Sequence, residues 1–235
     1  MTSTWLDPFP AAFRKGVETL LGRSGRRVAC FDADDTLWEG DLGEAFLEWL
    51  ARGGRIALAA PDFLSAYQAR VRADRTAGYT WAVQVMAGLK EADVVRWSRH
   101  LAAAWPPRPA MAGLLDGLRH AGVETWIVSA SNHWIVREAA VRLGVPVHRA
   151  IGIRVEVEGG RLTDRPVRPI PHGSGKAEAV QRYVGASPDL AAGDSLGDLE
   201  MLETARLPLV VDARGGPPSA LHRIALARSW PVWTA

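Results

Sequence analysis

The chain has 235 residues, of which 48% are hydrophobic and 23% charged, and its formal net charge is +2. This length fits one domain, or a core domain with a smaller insert, and the composition is that of a globular protein with enough apolar residues for a core. No segment approaches the ~20 apolar residues that span a bilayer, no basic stripe for nucleic acid is visible, and no secretory signal opens the chain. A single cysteine excludes intrachain disulfides. We therefore expect a cytoplasmic protein that binds neither membrane nor nucleic acid.

The first half of the chain predicts a helix, a strand and a long helical segment. Residues 10–22 begin with proline and end with glycine, which is typical of a short helix. Residues 27–31 are a short apolar run that leads into acidic residues, which predicts a buried strand followed by a loop. Residues 40–104 have helical periodicity, and the proline-rich stretch at 106–109 indicates a boundary after them.

The second half alternates between predicted helices and predicted strands. Helices are expected at residues 111–120, 131–143, 176–183 and 196–204, and strands at 123–128, 190–193 and 207–212. Residues 151–162 alternate in two halves around a Gly-Gly pair, which predicts a β-hairpin.

This alternation implies an α/β fold with a parallel sheet flanked by helices, as in a Rossmann-like core. The helical residues between the first and second strands should then form an inserted cap. We therefore predict a core domain of residues 1–38 and 105–235 and a helical cap domain of residues 39–104.

Four short polar segments lie at predicted strand ends or helix starts, where an open α/β sheet binds its ligands. They are residues 31–38, 127–131, 173–176 and 193–198. Carboxylates packed at a strand end repel each other, and a hard cation such as Mg²⁺ offsets that repulsion through oxygen ligands. We therefore expect Mg²⁺ to be the cofactor, bound by Asp32, Asp34, Asp194 and Asp198.

The same segments contain the groups that phosphoryl transfer needs. A carboxylate can attack phosphorus to form an aspartyl-phosphate, and a second acid two residues on can protonate the leaving oxygen and then activate water. The non-bridging oxygens need hydrogen-bond donors and positive charge. The hydroxyl of Ser129, the backbone N–H of Ala130 and the ammonium of Lys176 would supply them.

Taken in order, the segments resemble the four motifs of the haloacid dehalogenase-like (HAD) superfamily. The motifs are Asp-x-Asp-x-Thr after an apolar strand, Ser after a second strand, a downstream Lys, and Gly-Asp-x-x-x-Asp, and they extend over residues 32–198. The resemblance implies that Asp32 is the nucleophile and Asp34 the general acid and base. It also implies that Thr36 supports the turn of the first motif.

The resemblance extends to the phosphoryl and metal ligands. It implies that Ser129 and Lys176 bind the phosphoryl group. It implies that Asp194 binds Mg²⁺ together with the Asp32 carboxylate and a backbone carbonyl at position 34. Asp198 would bind the metal through water or orient Lys176.

The resemblance also reduces the number of reactions that the protein is expected to catalyse. Dehalogenases of the superfamily lack the second acid, and its transport ATPases carry a lysine at that position together with membrane helices. Asp34 therefore indicates a phosphomonoester phosphatase that acts on a small metabolite. A phosphomutase and a non-catalytic module that binds Mg²⁺ or phosphate are the alternatives.

Within the superfamily, the helical insert, the predicted hairpin and residues 175–179 look most like the phosphoserine phosphatase branch. Residues 38–44 and 126–134 are similar to phosphorylcholine phosphatase-like proteins. Phosphoserine phosphatases use a cap arginine to hold the substrate carboxylate, and residues 79–89 contain no arginine. This difference argues against phosphoserine as the substrate.

A cationic substrate fits the remaining residues better. An aromatic and acidic surface can bind a group such as that of phosphocholine, with roughly 0.5–2 kcal/mol per aromatic face. The residues predicted to form it are Trp38, Asp41, Glu44, Tyr79 and Trp81. Phosphoserine or a sugar phosphate is the alternative substrate.

Other residues near the motifs have simpler interpretations. Asp35 is expected in a turn, Ser131 as the N-cap of the helix at 131–143, and Ser195 as the cap of the helix at 196–204. Trp230 and Trp233 are expected to pack in the tail or to contact a second copy of the chain in a homodimer.

Overall fold

A parallel sheet forms the centre of the protein in the part of the chain that the computed structural model describes, residues 4–57 and 60–234. In chain order the strands are β1 Val28–Phe31, β2 Glu124–Asn132, β3 Ala150–Ile153, β4 Val155–Glu158, β5 Arg161–Pro166, β6 Leu190–Gly193, β7 Leu207–Val211 and β8 Val232–Trp233. Six of them form the sheet in the order β3-β2-β1-β6-β7-β8, and all neighbours are parallel. β4 and β5 form a separate antiparallel hairpin.

Helices flank the sheet and fill the long connection between its first two strands. In chain order they are α1 Ala11–Leu21, α2 Leu42–Arg52, α3 Ala60–Ala73, α4 Arg75–Gln84, α5 Glu91–Ala103, α6 Pro109–His120, α7 His133–Arg142, α8 Ser174–Ala179, α9 Leu199–Thr204 and α10 Ala220–Ala227. Helices α2 to α5 lie between β1 and β2, so the predicted fold class, an α/β core with a helical insert, is confirmed. The limits of residues 39–104 for the cap remain a prediction.

The central strand β1 reads as one apolar run because both of its faces are covered. Val28 and Cys30 belong to the hydrophobic cluster on one side of the sheet, and Ala29 and Phe31 belong to the larger cluster on the other side. All four residues are buried. This is the pattern of a parallel strand between two helical layers.

The β-hairpin lies further along the chain than the predicted residues 151–162. Residues 150–153 form β3, the edge strand of the main sheet, where Ile151 pairs with Val128 of β2. The hairpin proper turns at Gly159 and Gly160, which both have positive φ. All four residues of β3 are buried, as expected for a strand of the main sheet. The prediction differs because alternation in the sequence does not distinguish a hairpin strand from a neighbouring strand in the main sheet.

The end of the chain completes the main sheet. Neither α10 nor β8 is predicted from the sequence. Trp233 pairs with Val211 of β7, is 6% exposed, and packs against Phe9 with ring centroids 5.5 Å apart. Trp233 therefore contributes to the core of its own chain, and a homodimer stays a prediction.

None of the helices described here is both long and apolar enough to cross a membrane.

Candidate active site

The predicted motifs meet at the carboxyl edge of the sheet. β1 lies between β2 and β6, so the residues that follow these parallel strands converge. There they line a cavity of about 370 Å³ between the sheet and helices α2 to α4. From the sheet side the cavity is lined by Asp32, Asp34, Ser129, Ala130, Lys176, Asp194 and Asp198, which are all the predicted catalytic, phosphate-binding and metal-binding residues.

Lys176 joins two of the buried carboxylates. Its Nζ donates to Asp32 Oδ1 at 2.5 Å and also to Asp198 Oδ1. The lysine is 2% exposed. Burial lowers the pKa of Lys176, but the charges of Asp198 and Asp32 raise it more, so the pKa lies above its usual value and the ammonium stays charged.

Both carboxylate oxygens of Asp198 accept hydrogen bonds, and these bonds hold its side chain in place. Oδ1 accepts from Lys176, and Oδ2 accepts from the backbone N–H groups of Asp194 and Ser195 and from the Ser195 hydroxyl. Ser195 also caps the short helical turn that follows it, as predicted. These bonds fix the loop after β6 and the direction of Lys176.

Three carboxylates form a group that fits a hard cation. One oxygen each of Asp32, Asp194 and Asp198 lies within 4.8 Å of the others, and all three residues are buried. Burial and the neighbouring carboxylates raise the pKa of Asp32 to about 7 and that of Asp194 to about 9. A divalent cation with oxygen ligands can compensate buried carboxylates at this spacing.

The net charge of the cavity also favours a cation bound by these three carboxylates. Its lining contains seven carboxylate residues and three cationic ones, Arg75, Lys176 and Arg214. A phosphate dianion would be repelled by this excess of negative charge. A divalent cation at the three carboxylates would reduce the repulsion.

Asp34 faces the cavity two residues after Asp32 and is held by three hydrogen bonds. Its Oδ1 accepts from Trp38 Nε1 and from the backbone N–H of Leu42, both at 2.7 Å, and its Oδ2 accepts from the Ser131 hydroxyl at 2.6 Å. Burial and the charge of Asp41 raise its pKa to about 7, against the effect of these hydrogen bonds. A carboxyl group with a pKa near neutrality can both donate and accept a proton.

Ser129 and Ala130 lie in an irregular stretch of β2. The pairing of β2 with β3 shifts register between Val128 and Asn132, so the strand bulges where it meets the cavity. Ser129 is 1% exposed, and its Oγ accepts from the backbone N–H of Ser131. This irregular segment lines the cavity.

Ser131 is not the helix cap that the sequence predicts. Asn132 caps α7, with its side chain accepting from the N–H of Ile135. Ser131 instead donates to Asp34, because β2 continues to Asn132 and α7 begins only at His133. Gly43 allows this contact, since a Cβ there would lie 2.2 Å from Ser131 Oγ.

The residues predicted for substrate specificity divide into two groups. Asp41, Glu44 and Tyr79 line the cavity on the side of the helical insert. Trp38 and Trp81 are not among the described lining residues. Trp38 is 3% exposed and holds Asp34, whereas Trp81 stacks on Phe63 with ring centroids 5.8 Å apart. The expected aromatic surface is therefore formed by tyrosines, Tyr79 and its neighbour Tyr67.

The cavity also contains an arginine from the helical insert. Arg75, the first residue of α4, lines the cavity four residues before the segment 79–89 that lacks arginine. The absence of arginine from that segment therefore does not argue against an anionic substrate. The sequence gives no direct signal for Arg75, because it lies outside every motif.

Two further residues, Arg214 and His172, line the cavity although neither is a predicted site residue. Arg214 donates to Asp194 Oδ2 at 2.7 Å and to Asp35 Oδ2 at 3.2 Å. His172 makes a 2.9 Å hydrogen bond with the Thr76 hydroxyl of α4 and lies edge-on to Tyr79.

Asp35 lies in a turn, as predicted. It has positive φ, and its Oδ1 accepts a hydrogen bond from the N–H of Gly40.

Comparison with known proteins finds a matching family and curated relatives. The family model described as haloacid dehalogenase-like hydrolase matches residues 29–203. A phosphoserine phosphatase of Streptomyces coelicolor is 27% identical over 207 residues, which are 86% of this chain and 48% of that protein. The chain thus spans about half the length of the curated relatives it matches.

Solved structures show the same fold. A protein with unknown function from Bordetella pertussis Tohama I superposes with a TM-score of 0.76 and 24% identity, over 89% of this chain and 98% of that one. A substrate-bound phosphoserine phosphatase superposes with a TM-score of 0.59 and 16% identity, over 86% of this chain and 91% of that one.

Proposed function

The chain belongs to the haloacid dehalogenase-like hydrolases, and from this premise we propose that it hydrolyses a small phosphomonoester through an aspartyl-phosphate on Asp32. The observation that carries the proposal is one juxtaposition in the cavity. Asp32 lies beside the ammonium of Lys176, and Asp34, with a pKa of about 7, faces the same space.

In the first step, a carboxylate oxygen of Asp32 attacks phosphorus in line with the ester oxygen. The bond from phosphorus to the ester oxygen breaks, and Asp34 donates its proton to that oxygen, which leaves as an alcohol. Three hydrogen bonds hold Asp34 in the lining of the same cavity as Asp32, where it would act as the proton donor.

In the second step, Asp34 accepts a proton from water, and the water oxygen attacks phosphorus. The bond between phosphorus and Asp32 breaks, inorganic phosphate forms and both carboxyl groups return to their starting states. Helices α2 to α4 cover the cavity and would limit access of bulk water to the intermediate.

Charge on the phosphoryl oxygens would be balanced by residues of strand β2 and helix α8. Lys176, Ser129 and Ala130 line the cavity, where the ammonium, the hydroxyl and the backbone N–H would bind the phosphoryl oxygens. Mg²⁺ would be held by the carboxylates of Asp32 and Asp194 and the backbone carbonyl at position 34, and would supply positive charge to the phosphoryl oxygens. Asp198 orients Lys176.

The leaving group would meet charges of both signs. Asp41 and Glu44 offer carboxylates to a cationic group, and Arg75 offers a guanidinium to an anionic one. A leaving group that carries an amine and a carboxylate, as in phosphoserine, can use all three. Phosphocholine, the substrate class expected from sequence, would leave Arg75 without a partner in the substrate.

A panel of esters tests the proposal. With Mg²⁺ present, phosphate release is measured from phosphoserine, phosphoethanolamine, phosphocholine, glycerol phosphate, sugar phosphates and p-nitrophenyl phosphate. The proposal requires phosphate release from at least one ester and its loss on addition of EDTA. Isomerisation of a sugar phosphate without phosphate release would instead show a phosphomutase, and binding without either reaction would show a non-catalytic module.

A further inference from the structure

A second cavity, of about 390 Å³, lies at the β3 edge of the sheet. It is bounded by the first turn of α7, by residues 150–152 of β3, by the loop after β5 and by Tyr183. Among the described residues it shares none with the lining of the catalytic cavity, and nothing in the proposed reaction uses it. Its volume is that of a pocket for a small organic molecule.

The polar side of this cavity is cationic. Arg137 and Arg154 line it, and no aspartate or glutamate is found among its described lining residues. Neither guanidinium forms an ion pair within the described part of the chain. An uncompensated pair of arginines in a concave site favours an anionic ligand, since Arg binds carboxylate and phosphate oxygens in a fixed fork.

Two buried nitrogen atoms at this cavity lack a hydrogen-bond partner among the described residues. They are Arg137 Nε and His133 Nδ1. Buried polar atoms are normally paired, so these two nitrogens are candidates for hydrogen bonds to the acidic group of a ligand. Burial, with the charges of Arg137 and Arg154, lowers the pKa of His133 to about 3, so its imidazole is neutral and can donate through one nitrogen.

The rest of the lining is aromatic and apolar. Trp126 and Tyr183 line the cavity together with His148, whose ring lies edge-on to Trp126 at 6.4 Å. Ile151 and Pro169 complete the apolar part. These surfaces suit a flat, apolar body rather than a fully hydrated ion.

We propose that this second cavity binds a small organic anion with a planar apolar body. The acidic group would accept hydrogen bonds from Arg137, Arg154 and His133, and the planar body would pack against Trp126 and Tyr183. The inference does not rest on the proposed phosphatase activity, because the two cavities have separate linings.

A matched pair of probes tests the charge requirement. Naphthalene-2-carboxylate and naphthalene-2-carboxamide have nearly the same shape, but only the first is an anion. Binding is measured by calorimetry with Mg²⁺ and inorganic phosphate present to fill the catalytic cavity. We expect the carboxylate to bind about tenfold or more tightly than the amide, because hydrogen bonds to a charged group contribute more. Equal affinities, or no binding of the carboxylate, would overturn the proposal.

Variants locate the site. Arg137→Gln and Arg154→Gln, made separately, should each weaken carboxylate binding about tenfold. Arg96→Gln on α5 removes the same charge from a side chain that is 70% exposed and should leave binding unchanged. The melting temperature of each variant shows that it is folded, and either arginine variant alone decides the outcome if the other does not fold. Unchanged binding in a folded arginine variant would place the probe elsewhere and overturn the proposal.

Discussion

The Ser131 hydroxyl donates a 2.6 Å hydrogen bond to Oδ2 of Asp34, so a residue at the end of β2 holds the proposed proton donor that follows β1. This bond stabilises the ionised form of Asp34 and keeps its pKa lower than burial alone would. It connects two motifs that are 97 positions apart in the chain.

Replacement of Ser131 by alanine should therefore raise the pKa of Asp34 above about 7. The protonated acid would persist to higher pH, and the base of the second step would ionise only at higher pH. Loss of a hydrogen bond to a charged group should move the optimum of kcat upward by about one pH unit. The measurement is a pH–rate profile. A lower kcat with an unmoved profile would show that Ser131 has only a structural role.

Replacement of Asp32 by asparagine should abolish turnover and preserve the fold. The amide cannot form the covalent intermediate, and removal of a nucleophile lowers kcat by about a thousandfold or more. Phosphate release and circular dichroism are measured on the same sample. Fluoroberyllate should inhibit the native protein and should not bind the variant. Residual turnover within tenfold of the native rate would rule out Asp32 as the nucleophile.

Mg²⁺ should stabilise the protein more at pH 8 than at pH 5. The pKa values of Asp32 and Asp194, about 7 and about 9, lie above the value of about 3.9 for an unfolded aspartate. The folded state without metal therefore binds more protons than the unfolded state between pH 4 and 9, and its stability falls as pH rises through that window. Mg²⁺ binds the ionised carboxylates and opposes this loss.

The size of this effect follows from mass action. At a Mg²⁺ concentration of about 100 times Kd, the gain is about 2.7 kcal/mol, or roughly 5–10 °C in Tm for a chain of this length. Thermal unfolding is measured at both pH values with Mg²⁺ and with EDTA. A gain that is equal at the two pH values would contradict binding to these carboxylates.

Replacement of Arg75 by glutamine should change the choice between two closely related substrates. Phosphoserine carries a carboxylate that phosphoethanolamine lacks. The variant should raise KM for phosphoserine about tenfold and leave KM for phosphoethanolamine unchanged, because only the first has an anionic group for the guanidinium. Arg96→Gln is the control for net charge. Equal changes for both esters would mean that Arg75 does not contact the leaving group.

Replacement of Glu44 by alanine tests the cationic side of the cavity. Glu44 lines the cavity from α2, and burial raises its pKa. The variant should raise KM for phosphocholine and phosphoethanolamine far more than for glycerol phosphate, which is neutral outside its phosphate. A uniform rise in KM for all three esters would show that Glu44 shapes the cavity without contacting a cation.

The sequence by itself determined the fold class and the residues that follow its central strands. Apolar runs that break into polar motifs marked the ends of β1 and β6 and the stretch of β2 that lines the cavity, and the carboxyl ends of parallel strands meet at one edge of a sheet. Asp32, Ser129 and Asp194 therefore line one cavity, as expected. Their position depends on the backbone topology, and the periodicity of hydrophobic residues in the sequence predicts that topology.

Only the tertiary structure decided which other side chains reach the cavity. Arg75 and Ser131 line it, whereas Trp38 and Trp81 turn into other packing. The direction of a side chain depends on where its helix begins and what packs against it. The periodicity of hydrophobic residues indicates neither of these. The sequence therefore predicts the residues at the carboxyl edge of the sheet, but it does not predict the surface that would contact the substrate.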